Sequence, residues 1–223
     1  MSSLIIIPAR GGSKRLPHKN ILMLHGKPLI SWTIEAAISS NVSENIVVTS
    51  DDDEILKIAI SYGVIAHKRD SSLASDTAKT IDVVLDCISM YGNGVGNVLL
   101  LQPTSPLRTG EDIAEAMALY EYAAHETVVS VCEVEHPLEW SGKINTDGKF
   151  FGVDFHSVKR SQDLEKSYRI NGAIYIFPKT LLMENKTFYS NSVFAYVMPQ
   201  ARSIDIDTWL DFKICEYLML ESN

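Results

Sequence analysis

The segment IIIPARGGSKRLPHKN, residues 5–20, decides the fold. The apolar run Leu4–Ile7 stops at Pro8, and a loop with two glycines and four Lys or Arg residues follows. A short apolar run that ends in such a loop is typical of a buried strand, and ligands of parallel α/β sheets bind beyond the carboxyl ends of strands. The segment therefore predicts the first strand of an α/β sheet with a ligand-binding loop directly after it.

Further apolar runs and helical patterns alternate along the chain. The other runs predicted to be buried strands are Ile46–Val48, Val98–Leu101, Val128–Val131 and Ile174–Phe177. The segments predicted to be helices are residues 29–40, 51–62, 76–91, 110–124 and 207–220. Pro28 is expected in the first turn of the first of these helices. Strands that alternate with helices predict a mostly parallel sheet with helices on both faces, which is an α/β fold.

Residues 135–170 interrupt this alternation, because they are polar and contain no long helical pattern. Turn-forming residues at 145–148 predict a short hairpin in this segment. Its aromatic residues, which are unfavourable in solvent, are Trp140, Phe150, Phe151 and Phe155. We therefore predict a core formed by residues 1–134 and 171–223, with residues 135–170 as an inserted arm that contacts a second subunit.

Charge is distributed unevenly along this chain of 223 residues. The first 34 residues carry five Lys or Arg and no acidic residue, a charge of +5, so the remainder must carry −13 to give the net charge of −8. An acidic body disfavours a nucleic-acid polymer, whereas a compact positive loop suits a small polyanion. The sequence therefore predicts a small anionic ligand and no nucleic-acid partner.

The composition also suggests a cellular location. No apolar run reaches the roughly 18 residues of a membrane span, and the first ten residues lack the basic region of a signal peptide. Cys87, Cys132 and Cys215 are odd in number and far apart, which argues against a disulfide framework or a Cys-based zinc site. We therefore expect a cytoplasmic protein with no membrane partner.

The loop after the first strand has the features of a phosphate site. Gly11 and Gly12 allow the backbone to approach a ligand and to expose N–H groups. Arg10, Lys14 and Lys19 supply cations that pair with phosphate oxygens. Neither the P-loop pattern nor G-x-G-x-x-G is present, and a solvated basic turn is the alternative. The position after a strand and the lack of nearby acidic residues favour a nucleoside triphosphate.

Polar residues also lie beside other predicted strands. Gln102, Thr104 and Ser105, in LLLQPTSPLRT at residues 99–109, present hydrogen-bonding groups, although a rigid turn before the next helix is the alternative. Arg169 precedes another strand and suits a substrate carboxylate, which an arginine can bind with two hydrogen bonds.

Two acidic residues lie near the C-terminal helix. Asp205 and Asp207, in SIDIDT, face the same point on an extended backbone, and such carboxylates suit Mg²⁺. The alternative is that Asp207 caps the last helix, just as Asp76 is a candidate cap for an earlier one.

The chain resembles the nonulosonate cytidylyltransferases, the CMP-sialic acid synthetases, in PARGGSKRLPHKN at residues 8–20 and ILMLHGKPLISWTIEAA at 21–37. The resemblance continues through VVTSDDDEI, KRDSSLASDTAKTIDVV, LLLQPTSPLRT, YRINGAIYIF and SIDIDT, and covers nearly the whole chain. It implies a Rossmann-like nucleotidyltransferase core, CTP as the nucleotide donor, and Mg²⁺ as the ion with Mn²⁺ as a substitute. It also implies a homodimer built through a small protruding subdomain.

The resemblance assigns roles to individual residues. Those implied to bind the nucleotide are Ala9, Arg10, Gly11, Asn20, Arg69, Ser75, Asp76 and Thr77. Those implied to bind the sugar acid are Gln102, Thr104, Ser105, Arg169 and Asn171. The implied metal ligands are Asp205 and Asp207. The residues implied to act in catalysis are Arg10, Lys14, Lys19 and Asp207.

The arm departs from the family pattern. Members often carry an arginine where this chain has Ser161, and some carry a lysine where it has Glu139. In the family, basic groups of this arm reach the neighbouring subunit's sugar-acid site. Either Arg160 or Lys159 is the candidate for that role here.

The resemblance predicts an enzyme that couples CTP to a nonulosonic acid, giving the CMP-sugar acid and pyrophosphate. N-acetylneuraminate is the favoured acceptor, and legionaminate and pseudaminate are alternatives with the same chemistry. The eight-carbon acid Kdo is disfavoured, because its cytidylyltransferases carry a different first loop without the pair Lys19–Asn20. An inactive CTP-binding regulatory protein is the alternative of another class, and the intact basic loop and acidic pair argue against it.

Overall fold

The computed structural model describes residues 2–13, 15–74, 78–156 and 160–221. Within these ranges the strands are β1 (Ser2–Pro8), β2 (Met23–Leu24), β3 (Lys27–Pro28), β4 (Ile46–Ser50), β5 (Ile65–Lys68), β6 (Val95–Leu101), β7 (Thr127–Glu133), β8 (Lys143–Ile144), β9 (Phe150–Phe151), β10 (Tyr168–Pro178) and β11 (Val193–Val197). The helices are α1 (Leu29–Ser39), α2 (Asp53–Ser61), α3 (Thr80–Tyr91), α4 (Gly110–Tyr122), α5 (Lys179–Asn185) and α6 (Trp209–Glu221). None of the helices in these four ranges is both long and apolar enough to cross a membrane.

Seven strands form the central sheet, in the order β11-β7-β10-β6-β1-β4-β5. β10 runs antiparallel to both of its neighbours, and the other neighbouring pairs are parallel. All five predicted strands lie in this sheet. The mostly parallel α/β sheet predicted from the sequence is therefore confirmed.

Helices cover both faces of the sheet. β1 illustrates this, because its alternate side chains point to opposite faces and pack against different helices. Ile5 and Ile7 pack with apolar residues of α1, α2 and α4. Leu4 and Ile6 pack with apolar residues of α3 and α5 on the other face. A third cluster, which includes Leu16 and Phe212, joins α6 to the segment after the basic loop. This third cluster fixes the start of α6 close to the carboxyl edge of the sheet.

Some local predictions differ from the structure. Pro28 is not in the first turn of α1. It belongs to β3, which pairs with β2, and it occupies the N-cap position of α1 with a ψ of 143°. The helix predicted from residue 76 begins at Thr80. β5, β11 and α5 were not predicted. β5 is short and has few apolar residues, and β11 is an edge strand with mostly exposed side chains. These differences leave the sheet order unchanged.

β10 bends where it passes the end of β6. Its register against β7 shifts between Ile170 and Tyr175, and its pairing with β6 involves Ile174 onward. Between them, Gly172 has a φ of 80°, which glycine adopts without the steric cost of a Cβ atom. We call residues 171–173 the β10 bend. The bend places Gly172 directly beside Gln102, at the carboxyl end of β6.

The inserted arm contains the predicted hairpin. β8 pairs with β9 in antiparallel fashion, and the turn between them closes with the Gly148 N–H donating to the Asn145 carbonyl. The predicted core boundary at residue 171 falls inside β10, which already begins at Tyr168. The strand therefore enters the sheet slightly earlier than predicted.

Candidate active site

A cavity of about 540 Å³ lies at the carboxyl edge of the sheet. Its wall is formed by the loop after β1, the segment from Arg69 to α3, the end of β6 and the residues before α6. The sequence-predicted site residues that line it are Arg10, Lys19, Asn20, Arg69, Gln102, Thr104 and Asp207. The fold therefore brings residues from four distant parts of the chain to one place, as strand ends in a parallel sheet do.

Internal hydrogen bonds hold the basic loop in shape. The buried Asn20 amide donates to the Arg10 carbonyl at 2.9 Å, which joins the two ends of the loop. The N–H of Ala9 donates to the Thr49 carbonyl at 3.0 Å, and Ala9 is fully buried. Ala9 and Asn20 thus shape the loop, while Asn20 also reaches the cavity wall.

Position 11 requires a glycine for a reason other than the predicted exposure of its N–H to a ligand. Its N–H donates to Asp51 Oδ1 at 3.1 Å, so it is directed at protein rather than exposed to a ligand. A Cβ atom at Gly11 would lie 2.6 Å from Asp52 Oδ2, a distance that real Cβ contacts do not tolerate. The expectation that Gly11 exposes its N–H is therefore wrong, and close approach of Asp52 requires the glycine.

Arg69 provides a buried cation at the cavity. Its Nη2 lies 3.8 Å from Asp51 Oδ1, and its Nε has no hydrogen-bond partner among the described residues. Burial lowers the pKa of the Arg69 guanidinium, and the Asp51 carboxylate opposes that change, whereas the nearby charge of Arg10 adds to it. Two guanidinium groups close enough to influence each other suit a ligand with several negative charges.

The predicted phosphate lysine contacts the predicted metal aspartate. Lys19 Nζ donates to Asp207 Oδ1 at 2.9 Å and to the Ile206 carbonyl at 2.6 Å. Arg15 Nη1 donates to the other carboxylate oxygen of Asp207, also at 2.9 Å. Cations and a carboxylate therefore meet at one wall of the cavity, and a polyphosphate bound there would contact both kinds of group.

Asp205 lies deeper than Asp207. Its Oδ1 is buried without a hydrogen-bond partner in the described part of the chain. Burial raises the pKa of Asp205, and the negative charge of Asp207 contributes to the rise. A divalent cation between the two carboxylates would satisfy the orphaned oxygen and reduce their repulsion, so these residues fit a Mg²⁺ ion. Within the described ranges, no group of three His, Cys, Asp or Glu forms a metal cluster, and phosphate oxygens would supply the remaining ligands.

The alternative role of Asp207 as a helix cap is not what the structure shows. The hydroxyl of Thr208 accepts from the Asp211 N–H at 3.3 Å and donates to the Asp211 carboxylate at 2.8 Å. Asp211 also accepts from the backbone N–H groups of Asp207 and Thr208. Thr208 and Asp211 therefore cap α6, and the Asp207 side chain faces the cavity.

The segment after β6 presents its polar residues at different depths. Gln102 and Thr104 line the cavity, whereas Ser105 is buried and does not line it. The Thr104 carbonyl accepts from the Ile206 N–H at 2.8 Å, which ties this segment to the aspartate pair. The hydroxyl of Ser105 is buried without a hydrogen-bond partner among the described residues.

Arg169 and Asn171 lie away from the cavity wall. Arg169 Nη2 donates to Glu135 Oε1 at 3.2 Å on the protein surface. The buried Asn171 amide accepts from Ser130 at 2.5 Å and donates to Ser203 at 2.9 Å. Both ends of this amide are engaged internally, so Asn171 fixes the β10 bend, and any effect it has on a sugar acid is indirect.

Some predicted residues cannot be placed. Lys14, Ser75, Asp76, Thr77 and Lys159 lie outside the described residues. Their roles remain predictions.

Sequence reasoning missed Arg15 and Asp51. Arg15 counts among the basic residues of the loop, but no pattern indicated that it would reach Asp207. Asp51 was interpreted as part of a helix N-terminus, whereas Asp52 is the N-cap and accepts from Glu54 N–H at 2.8 Å. The sequence did contain a signal for Asp51, because this residue directly follows a strand. Side chains at the carboxyl end of one strand of a parallel sheet lie close to the loop after the neighbouring strand.

Comparison with known proteins identifies the family. A family model described as cytidylyltransferase matches residues 4–211. The chain belongs to the cytidylyltransferase family.

Relatives of this cytidylyltransferase act on different sugar acids, according to their names. It is 38% identical to the CMP-N,N'-diacetyllegionaminic acid synthase of Legionella pneumophila, over 98% of this chain and 97% of that one. It is 36% identical to the N-acylneuraminate cytidylyltransferase of Escherichia coli, over 99% of this chain but only 52% of that longer protein. It is 34% identical to the pseudaminic acid cytidylyltransferase of Campylobacter jejuni, over 98% and 96% of the two chains.

Solved structures share the fold of this cytidylyltransferase. A CMP:2-keto-3-deoxy-manno-octonic acid synthetase, in a complex with CTP, aligns over the full length of both chains with a TM-score of 0.75 and 16% identity. A cytidylyltransferase from Leptospira borgpetersenii aligns with a TM-score of 0.63 and 20% identity, over 97% of this chain and 85% of that one. These similarities confirm the nucleotidyltransferase fold that the sequence resemblance implied.

Proposed function

We propose that this protein transfers CMP from CTP to a nonulosonic acid and releases pyrophosphate. The observation that carries the proposal is the meeting of Arg10, Lys19 and Arg69 with Asp207 at one cavity. N-acetylneuraminate is the acceptor we favour. N,N'-diacetyllegionaminate is the second candidate, because the Legionella relative named for it matches over nearly its full length at 38% identity. No comparison supports an inactive regulatory protein.

The chemistry is a phosphoryl-group substitution at the α-phosphorus of CTP. The anomeric hydroxyl oxygen of the acid forms a bond to that phosphorus, the bond from it to the bridging oxygen of the β-phosphate breaks, and the hydroxyl proton leaves to solvent. The protein contributes chiefly by positioning the reactants and neutralising charge. Arg10 and Lys19, with Lys14, are assigned to the triphosphate and the departing pyrophosphate, and Arg69 to the nucleotide.

Asp205 and Asp207 would hold Mg²⁺, for which Mn²⁺ is a substitute. When bound, the ion supplies positive charge to phosphate oxygens. The contact of Lys19 with Asp207 keeps the lysine ammonium beside the carboxylates that would hold the ion, so both groups would supply positive charge to the triphosphate.

The acceptor is assigned to the side of the cavity near Gln102 and Thr104. Arg169 is assigned to the acid's carboxylate, and because it lies outside the cavity wall, it must leave Glu135 and move toward the cavity to bind it. Carboxylate recognition by an arginine with two hydrogen bonds is stronger than the single surface contact that Glu135 provides.

The test is pyrophosphate release from CTP and Mg²⁺ with four acids: N-acetylneuraminate, N,N'-diacetyllegionaminate, pseudaminate and Kdo. We expect release with one nonulosonic acid and little with Kdo. Release with N,N'-diacetyllegionaminate alone would replace N-acetylneuraminate as the acceptor. No release with any acid, by a protein that still binds CTP in calorimetry, would contradict the proposed function.

We extend the proposal to a homodimer that uses the arm, residues 135–170. Phe150 and Phe151 of the hairpin are 43% and 51% exposed, which is unusual for two adjacent phenylalanines on a single chain. Replacing both by serine is expected to convert a dimer into a monomer in sedimentation velocity, because burying such aromatics contributes strongly to interfaces. Replacing the exposed Tyr122 by serine, on α4, is the control. A wild-type protein that sediments as a monomer at micromolar concentration would contradict the dimer.

A further inference from the structure

Arg108 is the largest fully buried side chain in the described part of the chain. It lies between β6 and α4, and its Nη1 donates to two main-chain carbonyls, that of Gln102 at 3.2 Å and that of Ala173 at 3.1 Å. Its Nε and Nη2 have no hydrogen-bond partner among the described residues. A buried guanidinium with two unsatisfied nitrogens is an unusual feature that requires an explanation.

Stability alone does not explain this arginine. Burial lowers the pKa of Arg108 to about 10, against the opposing effect of Asp112, so the group remains charged at neutral pH. The described residues provide it with no ion pair within 4.0 Å, since Asp112 pairs with Arg202 instead. Because an apolar side chain of similar volume is often at least as stabilising as a buried charge, a role in the site is the better explanation.

One of the two carbonyls belongs to the segment after β6, which lines the cavity, and the other belongs to the β10 bend behind it. Gln102 directly follows β6 and lines the cavity. Ala173 belongs to the β10 bend, in which Gly172 lies beside Gln102. On its other side, the bend is held by the hydrogen bonds of the Asn171 amide with Ser130 and Ser203. Arg108 is therefore the described side chain that joins the bend to the end of β6.

We propose that Arg108 is a positioning residue for the sugar acid. It holds Gln102 against the β10 bend, and Gln102 in turn contacts the acid. This inference rests on the proposed function. Arg108 does not line the cavity, and so it acts through Gln102 rather than by touching substrate. The nucleotide side is built by the basic loop and Arg69, and neither is among the hydrogen-bond partners of Arg108 in the described part of the chain.

The first test is a comparison of Michaelis constants. Arg108→Met is expected to raise KM for the sugar acid about tenfold while KM for CTP stays within about twofold, because small displacements of a positioning group cost this much. Arg108→Lys should recover part of the loss, since its ammonium can still donate to both carbonyls. The control is Lys179→Met, which removes a cation that donates to the Gly92 carbonyl at 2.9 Å, far from the cavity. It should leave both constants unchanged.

A second measurement does not depend on turnover. Amide hydrogen exchange of a peptide that covers residues 168–176 should be faster in Arg108→Met than in wild type, and unchanged in Lys179→Met. If Arg108→Met does not fold, Arg108→Gln, which keeps one donor, is judged by the same criteria.

Three outcomes are decisive. A folded Arg108 variant with unchanged exchange and an unchanged KM for the acid would overturn the inference, as would an equal rise in both Michaelis constants. If the wild-type protein releases no pyrophosphate with any acid, the proposed function fails, while the exchange measurement still decides whether Arg108 fixes the β10 bend.

Discussion

Asp207→Ala is expected to lower kcat for pyrophosphate release by about a hundredfold to a thousandfold, because loss of one charge-organising group at a reacting phosphate typically has that size. Asp207 is the carboxylate that reaches the cavity wall, and it contacts both Lys19 and Arg15. Its loss removes an assigned metal ligand and the carboxylate partner of two cations at once, although Lys19 keeps its contact with the Ile206 carbonyl. Without Mg²⁺, CTP should bind this variant at least as well as wild type, since the cavity loses a negative charge.

The matched experiment compares Asp207→Ala, Asp207→Asn and Glu216→Gln. Asp207→Asn keeps the shape of the side chain and removes its charge, so it should be nearly as inactive as the alanine variant. Glu216 forms an ion pair with Lys213 on the exposed side of α6, and Glu216→Gln should retain activity. A kcat near that of wild type for Asp207→Ala at saturating Mg²⁺ would falsify the metal role of Asp207. A loss of CTP binding without Mg²⁺ would instead show that Asp207 supports the local structure.

The fold could be predicted from the sequence because burial leaves a local pattern. Each of the five predicted strands is a short run in which β-branched, leucine or aromatic residues predominate, and each lies in the sheet. The antiparallel insertion of β10 between β6 and β7 has no such pattern, since strand pairing is a long-range property. The apolar composition of its run Ile174–Phe177 does not indicate the direction of the strand.

The candidate site could be predicted where a residue type alone indicates its chemistry. Lys19 and Asp207 were identified in this way, and the structure brings them into contact. Gly11 shows where this approach fails, because its N–H is taken by Asp51, a residue of a neighbouring strand's loop. Asn171 is a similar case, since its amide is satisfied by Ser130 and Ser203, which are distant in sequence. Residues whose partners come from other elements cannot be interpreted from local sequence.

Asp112→Asn is expected to lower the free energy of unfolding by about 2 kcal/mol, because it removes the charge of a buried carboxylate that accepts hydrogen bonds from a charged donor. Asp112 is 1% exposed and lies in the first turn of α4, where it forms a capping box with Thr109. Its carboxylate accepts from Arg202 Nη2 at 2.7 Å and Nε at 3.1 Å, and from the Tyr196 hydroxyl at 3.1 Å. An asparagine offers an N–H₂ group to these donors, so at least one of them loses its acceptor.

Urea unfolding at two pH values distinguishes loss of charge from loss of shape in this variant. Burial tends to raise the pKa of Asp112, but hydrogen bonds from Arg202 and Thr109 outweigh it and hold the pKa below its ordinary value. A depressed pKa in the folded state means that the charged carboxylate stabilises the fold above about pH 4, and that this contribution is lost as the pH falls through the folded-state pKa. The stability difference between wild type and Asp112→Asn should therefore be large at neutral pH and smaller in acid. Glu216→Gln, which removes an exposed carboxylate, should change stability by less than about 0.5 kcal/mol at neutral pH. A difference for Asp112→Asn that stays constant through the acid range would mean that packing of the side chain, rather than its charge, holds the start of α4 in place.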